Sequence, residues 1–291
     1  GREAWVSKGP SLSEEEERLA KLRHKLSQID AILGDGPREP DVEKIASDGT
    51  EVSGPSDRTL VRFPGERGEI VVVVGTSKHA QIPGFLERIS RLVDEAYSAV
   101  GKRKRVSTYD AAHRLEMGDA GPGANRVLHL AFRGEELLGC ASTTFDPGWT
   151  DEGCGHWGLL AVDPAHQRTG AATALVLAAE RRLATISEAI QIEYEYRAGD
   201  DFSERLMKWY EQRLGFDGGP KPRGGCSFRR CLKDIPEEAQ QRGRRRRLLE
   251  VQALFERQVA DLEEAMPPAR KASTPSTRGT DAEMDEDDDL D

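Results

Sequence analysis

One short segment constrains this chain more than any other. It reads Leu160-Ala161-Val162-Asp163-Pro164-Ala165-His166-Gln167-Arg168-Thr169-Gly170-Ala171-Ala172. Its apolar start predicts a strand, its proline a loop, and its small residues the first turn of a helix. The first N–H groups of a helix have no intrahelical partner and lie at the positive end of the helix dipole. The segment therefore predicts a phosphate or pyrophosphate site, which Gly170, Ala171 and Ala172 leave room to approach.

Composition limits the folded core and the partners. Of 291 residues, 37% are hydrophobic and 32% charged, which indicates one well-cored domain with polar extensions, or two small domains. The net charge is −10, but eight acidic residues lie in Asp281–Asp291, and without them 44 acidic residues remain against 42 basic ones. A nearly neutral body has no long-range field to attract nucleic acid or an acidic membrane, so neither is expected as a partner.

Cysteine usage indicates a compartment. Four cysteines without a Cys-x-x-Cys pair argue against a disulfide framework and against a structural zinc site, so no metal is expected. Reduced thiols place the protein inside the cell, in the cytoplasm or nucleus, or in an organelle if a targeting peptide has been removed before Gly1. No apolar run approaches the roughly 18 residues that span a bilayer.

Changes in composition predict four regions. Residues 1–67 form a helix and a flexible linker, 68–234 a compact domain, 235–266 a charged amphipathic helix, and 267–291 a disordered acidic tail. Both terminal helices are expected to contact protein partners. The first is typical of a docking helix or a short coiled coil, because its apolar residues form a narrow seam: Leu19, Leu22, Leu26, Ile29 and Leu33.

The compact domain shows a mixed order of elements, namely strand, two helices, hairpin, strand, phosphate loop and helix, strand, helix, strand. The predicted elements are a strand at Ile70–Val74, helices beginning near Pro83 and Thr108, a hairpin of Val127–Phe132 and Leu137–Thr144, a strand at Gly155–Val162, a helix at Gly170–Leu183, a strand at Ile190–Tyr196, a helix at Ser203–Leu214 and a strand at Cys226–Leu232.

This order and two motifs resemble the GNAT superfamily of acetyl-CoA-dependent N-acyltransferases. Gln167–Ala172 meets the superfamily's loop pattern Gln/Arg-x-x-Gly-x-Gly/Ala, and its strand and helix context is the one that such a motif requires. Trp209–Phe216 resembles the family's helix end, but carries one residue more between Tyr210 and Gly215 than the commoner spacing. The resemblance covers slightly over half of the chain. It implies an α/β (α+β) fold whose central sheet is mixed, largely antiparallel and flanked by helices, with helical extensions at both ends.

The resemblance also implies a reaction, in which an amine attacks acetyl-CoA directly within a ternary complex. The strands Gly155–Val162 and Ile190–Tyr196 would splay apart and hold coenzyme A between them. The strand backbone at Leu160, Ala161 and Val162 would bind the pantetheine arm and the acyl carbonyl, which stabilises the developing oxyanion. The loop backbone would hold the phosphates through Gln167, Arg168, Thr169, Gly170, Ala171 and Ala172.

Two residues are candidates for proton transfer. Strand alternation predicts one face for His156, Gly158, Leu160 and Val162, and a histidine there can serve as the base. The alternatives are a structural histidine and a base made of a water chain. Tyr210 is the candidate acid, because the family carries a tyrosine in this helix. With the extra residue, either this side chain is rotated away or the helix end is extended; a purely structural aromatic is the alternative.

Several predictions stay open at this level. Weaker candidates for an acceptor pocket are Trp149, Asp151, Trp157, Glu193 and Glu195, with a solvated strand face as the alternative. The identity of the amine, small molecule or protein, is not specified. A second function is a GNAT-fold subunit of weak or no activity that binds within a larger assembly. A dinucleotide site and a P-loop are disfavoured, because Gly75-Thr76-Ser77-Lys78 is only a partial glycine turn.

Overall fold

The computed structural model describes residues 14–34, 59–65, 67–102, 104–221 and 225–265. Its strands are β1 (Thr59–Gly65), β2 (Gly68–Val74), β3 (Arg126–Arg133), β4 (Glu136–Thr144), β5 (Cys154–Val162), β6 (Ala189–Arg197) and β7 (Cys226–Asp234). Its helices are α1 (Glu14–Leu33), α2 (Ser77–Ala80), α3 (Phe85–Ser98), α4 (Thr108–Met117), α5 (Ala171–Leu183), α6 (Asp201–Met207) and α7 (Glu237–Ala265). Short 3₁₀ turns lie at Gly118–Gly123 and Pro164–His166, and a π-helical turn at Lys208–Arg213 continues α6.

The strands form one sheet in the order in which they follow along the chain, β1 to β7. Every neighbouring pair is antiparallel except β5 and β6, which run parallel. A parallel pair needs a long crossover, and the loop and α5 supply it. The prediction of a mixed, largely antiparallel sheet flanked by helices is therefore confirmed.

Helices cover both faces of this sheet. On one face, α3 and α4 pack on a cluster that includes Val71, Leu130 and Ala161. On the other face, α5 packs on a cluster that includes Val72 and Val162. Strand β2 contributes to both clusters, since its run of isoleucine and valine is buried on both sides. The two faces can thus be named by their helices, the α3–α4 face and the α5 face.

Aromatic side chains fill the α5 face where it extends over β5, β6 and β7. The alternate residues of β6 that point to this face are apolar, whereas Glu193 and Glu195 point away from it. The aromatic members of this cluster are Phe145, Trp157, Tyr194, Tyr196, Tyr210 and Phe216. The cluster packs the π-helical turn onto the sheet.

The sheet begins earlier than the sequence analysis predicted. Residues up to 67 were assigned to a helix and a linker, but β1 pairs with β2 through a tight turn that brings Gly65 opposite Gly68. The prediction missed β1 because a single short strand beside a proline has no local signal that separates it from an extended linker. The rest of the predicted linker and the acidic tail lie outside the described residues.

Contacts divide the described residues into two compact units, one within residues 33–251 and one of residues 14–32 with 252–265. In the second unit, Arg23 Nη2 of α1 donates to Glu263 Oε1 of α7 at 2.6 Å, and Gln252 Nε2 donates to Asp30 Oδ1 at 2.7 Å. The predicted first helix is confirmed as α1, and its seam residues Leu19, Leu22 and Ile29 are buried. None of the described helices combines the length and apolar character that crossing a bilayer requires.

Candidate active site

The loop between β5 and α5 is held by short-range hydrogen bonds. Asp163 Oδ1 accepts from the Ala165 N–H at 2.8 Å, and Thr169 Oγ1 donates to the His166 carbonyl at 2.6 Å. The backbone then turns through positive φ twice, at Arg168 (+65°) and at Gly170 (+97°). Alternation of this kind directs successive N–H groups towards one side, as in anion-binding nests.

Helix α5 begins at this loop without a side-chain cap. Gly170 is its N-cap residue and offers no side-chain acceptor to the first N–H groups of the helix. These donors and the positive end of the helix dipole are therefore available to a ligand. This is the backbone geometry expected of the anion site at Gln167–Ala172, and binding of an anion there stays a prediction.

Gly170 is required for two separate reasons. Its positive φ is strained for any residue with a β-carbon, and a β-carbon at this position would lie 2.6 Å from Phe63 Cε1. Phe63 belongs to β1, the strand that the sequence analysis missed. The loop thus packs at Gly170 against an aromatic ring that lies more than a hundred residues earlier in the chain.

Strands β5 and β6 separate immediately after they pair. Their ladder consists of Cys154 opposite Ala189 and Gly155 opposite Ile190, and no pairing continues beyond these residues in the described part of the strands. The splayed strands expected from the resemblance are therefore present. Two buried donors on the strands that border the opening, Trp157 Nε1 and Gln191 Nε2, have no hydrogen-bond partner among the described residues.

A β-bulge in β5 corrects the predicted alternation. Ser142 of β4 pairs with Gly158, but Cys140 pairs with Ala161, so β5 has one residue more than β4 over this stretch. The bulge residue Leu159 takes a positive φ of +49°. Because the bulge shifts the alternation by one, Leu160 and Val162 lie on the α5 face. The prediction that they share a face with His156 and Gly158 is therefore wrong.

The backbone of Val162 is turned towards the opening. The N–H of Asp163 donates to the Leu138 carbonyl of β4 at 2.9 Å, and Ala161 pairs with Cys140 in the same register. Since N–H and C=O groups alternate in direction along a strand, those of Val162 point away from β4. Of the strand positions considered, Leu160, Ala161 and Val162, the backbone groups of Ala161 face β4 and those of Val162 face the opening.

His156 lies at the start of the opening with one ring nitrogen engaged. Its Nδ1 donates to the Gln191 carbonyl across the opening at 2.8 Å. A carbonyl oxygen can only accept, so Nδ1 carries the proton and Nε2 keeps a free lone pair in the neutral ring. Burial is the main cause that lowers the pKa of His156, and the Arg126 charge lowers it further. The hydrogen bond to the Gln191 carbonyl and the Glu193 charge raise it, but by less. The ring is therefore neutral at neutral pH and able to accept a proton.

Gly158 makes room for this imidazole. A β-carbon at Gly158 would lie 2.9 Å from His156 Nε2. Gly158 pairs with Ser142, whose hydroxyl accepts from Arg114 of α4 at 3.3 Å, so His156 and Gly158 are on the α3–α4 face. The absence of a side chain at Gly158 leaves the basic nitrogen accessible.

Trp149 and β6 form the surroundings of His156 on this face. The Trp149 ring is about half exposed and meets the imidazole edge-on at 5.9 Å between ring centroids. Gln191 holds the Trp149 loop, because its Oε1 accepts from the Asp151 N–H at 2.9 Å. Glu193 is paired with Arg230, Nε to Oε1, at 2.8 Å. Trp157, also considered for an acceptor pocket, instead lies in the aromatic cluster of the α5 face.

Tyr210 lies on the α5 face in the π-helical turn. Its ring packs against Tyr194 at 4.8 Å, Trp209 at 5.1 Å and Trp157 at 5.7 Å between centroids. The turn accommodates the extra residue before Gly215, because the Leu214 N–H bonds to the carbonyl of Trp209, five residues earlier. The helix has therefore widened by one residue at its end and keeps the Tyr210 ring in the aromatic cluster, and the direction of its hydroxyl towards a coenzyme thiol stays a prediction. Burial raises the pKa of Tyr210, which keeps its phenol protonated at neutral pH.

The model of the acetyltransferase (GNAT) family matches residues 86–216 of the chain. The chain contains a GNAT domain. Loop, opening, His156 and Tyr210 all lie within the matched range, and β1 with Phe63 lies before it. Among curated proteins, none matches the chain significantly.

Solved structures similar to this chain include three acetyltransferases. PaiA N-acetyltransferase of Thermoplasma acidophilum in complex with coenzyme A is 12% identical with a TM-score of 0.43, covering 57% of this chain and 99% of its own. The GNAT domain of S. lividans PAT is 17% identical (TM-score 0.43, 60% and 96% covered). The ribosomal-protein-S18-alanine N-acetyltransferase of Escherichia coli is 17% identical (TM-score 0.38, 56% and 94% covered). The assignment of the GNAT domain rests on the family model.

Three residues of this GNAT domain's site region escaped the sequence analysis. Phe63 supports the loop from β1, Gly158 clears the space over His156, and Gln191 orients His156 and the Trp149 loop. Only Gly158 had a local signal, namely a glycine in an otherwise apolar strand, which often marks a bulge or a close approach. Within the described ranges, no group of His, Cys, Asp and Glu side chains could hold a metal ion.

Proposed function

We propose that the GNAT domain is an N-acetyltransferase that transfers an acetyl group from acetyl-CoA to an amine by direct attack. The observation that carries this proposal is the opening between β5 and β6. It lies between the uncapped N-terminus of α5 at one end and the neutral His156 at the other. A thioester held across the opening would meet an amine from the α3–α4 face.

The residues present fit the coenzyme. Backbone N–H groups of Gln167–Ala172 would bind the pyrophosphate, and the Val162 N–H would donate to the acyl carbonyl and stabilise negative charge there. The unpartnered donor Gln191 Nε2, on the strand that borders the opening opposite His156, supports a polar ligand there, since buried donors are rarely left unpaired. Acetyl-CoA supplies the activated acyl group.

Proton transfer is divided between the two faces of the sheet. His156 Nε2 takes the proton that the attacking ammonium must lose, directly or through one water. As the nitrogen–carbon bond forms and the carbon–sulfur bond breaks, Tyr210 Oη gives its proton to the leaving thiolate. His156 lies on the α3–α4 face and Tyr210 on the α5 face, so base and acid reach the reacting carbon from opposite sides.

Coenzyme A release tests this function. The purified chain is incubated with acetyl-CoA and a panel of amines, including polyamines, amino acids and peptides with free N-termini, and the free thiol is measured. We expect thiol release that depends on one class of amine, and a rise in the melting temperature with acetyl-CoA alone. If the chain shows neither thiol release nor thermal stabilisation by acetyl-CoA, the proposal is overturned.

A binding role is the second candidate. The observation that favours it is the unit of residues 14–32 and 252–265, which has its own ion pair and hydrogen bond apart from the GNAT domain. We propose that these helices contact a protein partner. Thermal stabilisation by acetyl-CoA without turnover of any amine would favour this role over the enzymatic one.

A further inference from the structure

A partly buried ion pair lies directly beside Tyr210. Arg229 of β7 holds both oxygens of Glu211, through Nε at 2.5 Å and Nη2 at 2.8 Å. Tyr194 of β6 donates its hydroxyl to Glu211 Oε1 at 2.9 Å. One carboxylate thus ties the π-helical turn to two neighbouring strands.

Arg229 also binds the segment that follows the turn. Its Nη2 donates to the Gly219 carbonyl at 2.8 Å and its Nη1 to the Pro220 carbonyl at 3.0 Å. Its side chain is only 4% exposed. Gly218 is packed against the pair so closely that a β-carbon there would lie 2.7 Å from Glu211 Oε1. The guanidinium is therefore held by Glu211 and by two backbone carbonyls, and its loss would leave the partly buried Glu211 carboxylate without its cation.

A π-helical turn is a poor structure on its own, since its wide hydrogen bonds are rarely seen outside single turns. Here Glu211 immediately follows Tyr210 within that turn, and the Phe216 N–H bonds back to the Tyr210 carbonyl at 3.1 Å. The same Tyr194 that donates to Glu211 packs its ring on Tyr210. Side chain and backbone around Tyr210 are thus held through one carboxylate.

We infer that Glu211 and Arg229 are positioning residues, which hold the π-helical turn so that the Tyr210 hydroxyl is aimed at the leaving thiol. The inference rests on the proposed function, in which Tyr210 is the acid. Without the pair, the turn can relax to ordinary α-helical bonding, which rotates Tyr210 by about 100° per residue of slip.

The chain offers a matched control on the same helix. Glu204 of α6 also accepts from a tyrosine hydroxyl, that of Tyr196 at 2.6 Å, and binds Lys221 Nζ at 2.8 Å. It lies in the regular α-helical part, one turn and more before Tyr210. Glu204→Gln removes the same charge from the same kind of contact and leaves the π-helical turn intact.

Steady-state kinetics on the full chain test the inference. We expect Glu211→Gln to lower kcat by about tenfold to a hundredfold with KM for acetyl-CoA within about twofold, since misplacement of a reacting group acts on kcat. Glu204→Gln should leave both near their original values. In a Tyr210→Phe background, Glu211→Gln should have no further effect on kcat, because the residue through which it acts is gone.

Two results would overturn the positioning role. One is a full effect of Glu211→Gln in the Tyr210→Phe background. The other is an unchanged kcat of Glu211→Gln in the otherwise unaltered chain. If Glu211→Gln does not fold, Arg229→Lys replaces it, because lysine keeps the charge but cannot bind both carboxylate oxygens; the same pattern is expected.

An activity-independent measurement separates this inference from the proposed function. Near-ultraviolet circular dichroism at neutral pH is compared in pairs of chains with and without Tyr210→Phe, so that the difference within a pair reports Tyr210. We expect this difference to shift towards a smaller signal when Glu211→Gln is present, since a loosened ring loses its fixed packing. Identical differences would refute the positioning role even if the chain turns over no amine. A shifted difference without turnover would refute only the proposed function.

Discussion

At the scale of single residues, the neighbours of His156 determine which of its ring nitrogens carries the proton and which is accessible. Gln191 offers a carbonyl, which occupies one nitrogen of the ring, and Gly158 offers no side chain, which leaves the other nitrogen open. Burial then lowers the pKa of His156, which favours the neutral ring. Tautomer, access and protonation of the proposed base are thus influenced by three separate local causes.

The pH dependence of kcat/KM should report this histidine. The base acts deprotonated and burial lowers its pKa, so the rate should rise with pH to a plateau with a midpoint below 6.5. His156→Gln should lower kcat/KM by about 10²–10⁴-fold and remove this limb, measured with the same amine. His113→Gln, at an exposed position on α4, should change neither. Retention of the limb in His156→Gln would assign the base elsewhere.

At the scale of elements, a negative charge in the first turn of α5 should affect helix stability and ligand binding differently. A negative charge there interacts favourably with the helix dipole but repels a phosphate that uses the same N–H groups. Stability and ligand binding should therefore respond in opposite directions to the same substitution. This separation distinguishes a ligand site from an ordinary helix end.

Ala172→Glu places a carboxylate in that turn. We expect the free energy of unfolding without ligand to stay level or to rise by up to about 1 kcal/mol, and the melting temperature to follow it. Binding of acetyl-CoA, measured by isothermal titration calorimetry, should weaken by about tenfold or more, since the added charge lies beside the pyrophosphate. Leu177→Glu is the matched control, because it adds the same charge at an exposed position further along α5. Equal affinities of both variants would remove the pyrophosphate from this helix end.

At the scale of the whole molecule, a buried set of hydrogen-bonded polar side chains connects α5, β3 and β4. His129 is fully buried and bonds through Nε2 to Thr143 Oγ1 at 2.9 Å. Arg182 of α5 donates to the same hydroxyl at 3.0 Å and stacks on Phe145, 3.9 Å from its ring centroid. Burial first, and the Arg182 charge second, lower the pKa of His129 to about 3.

Stability should therefore depend on pH through His129. Its folded-state pKa lies below the ordinary 6.5, so below pH 6.5 the unfolded chain binds a proton that the folded chain refuses. The contribution is complete above pH 6.5 and is lost towards pH 3, at about 1.4 kcal/mol per pH unit. Urea unfolding at several pH values should show that His129→Leu, whatever its own stability, has a flatter dependence by about one proton. His113→Leu should keep the original slope, and an equal slope in both would contradict the assignment.

Much of the fold was predictable because its signals are local. The run of isoleucine and valine in β2, the hairpin around Arg133–Glu136 and the glycine at the start of α5 each determine an element from a few adjacent residues. The loop motif and its flanking strand and helix sufficed to predict an anion site. The predicted elements are confirmed because periodicity and backbone preferences act over one or two turns of chain, whereas the anion site stays a prediction.

The tertiary structure alone decided the rest. The bulge at Leu159 moved Val162 to the other face because β4 and β5 differ by one residue between two fixed pairs, a relation that neither strand contains by itself. Phe63 reached the loop only through β1, and the extra residue after Tyr210 was resolved by a π-helical turn that Arg229 of a distant strand stabilises. The sequence by itself determined most of the elements, though not β1, and predicted an anion site at one of them. Which backbone groups face the opening, and which face each acidic or basic group occupies, followed from strand register and packing, whose energies join residues far apart in the chain.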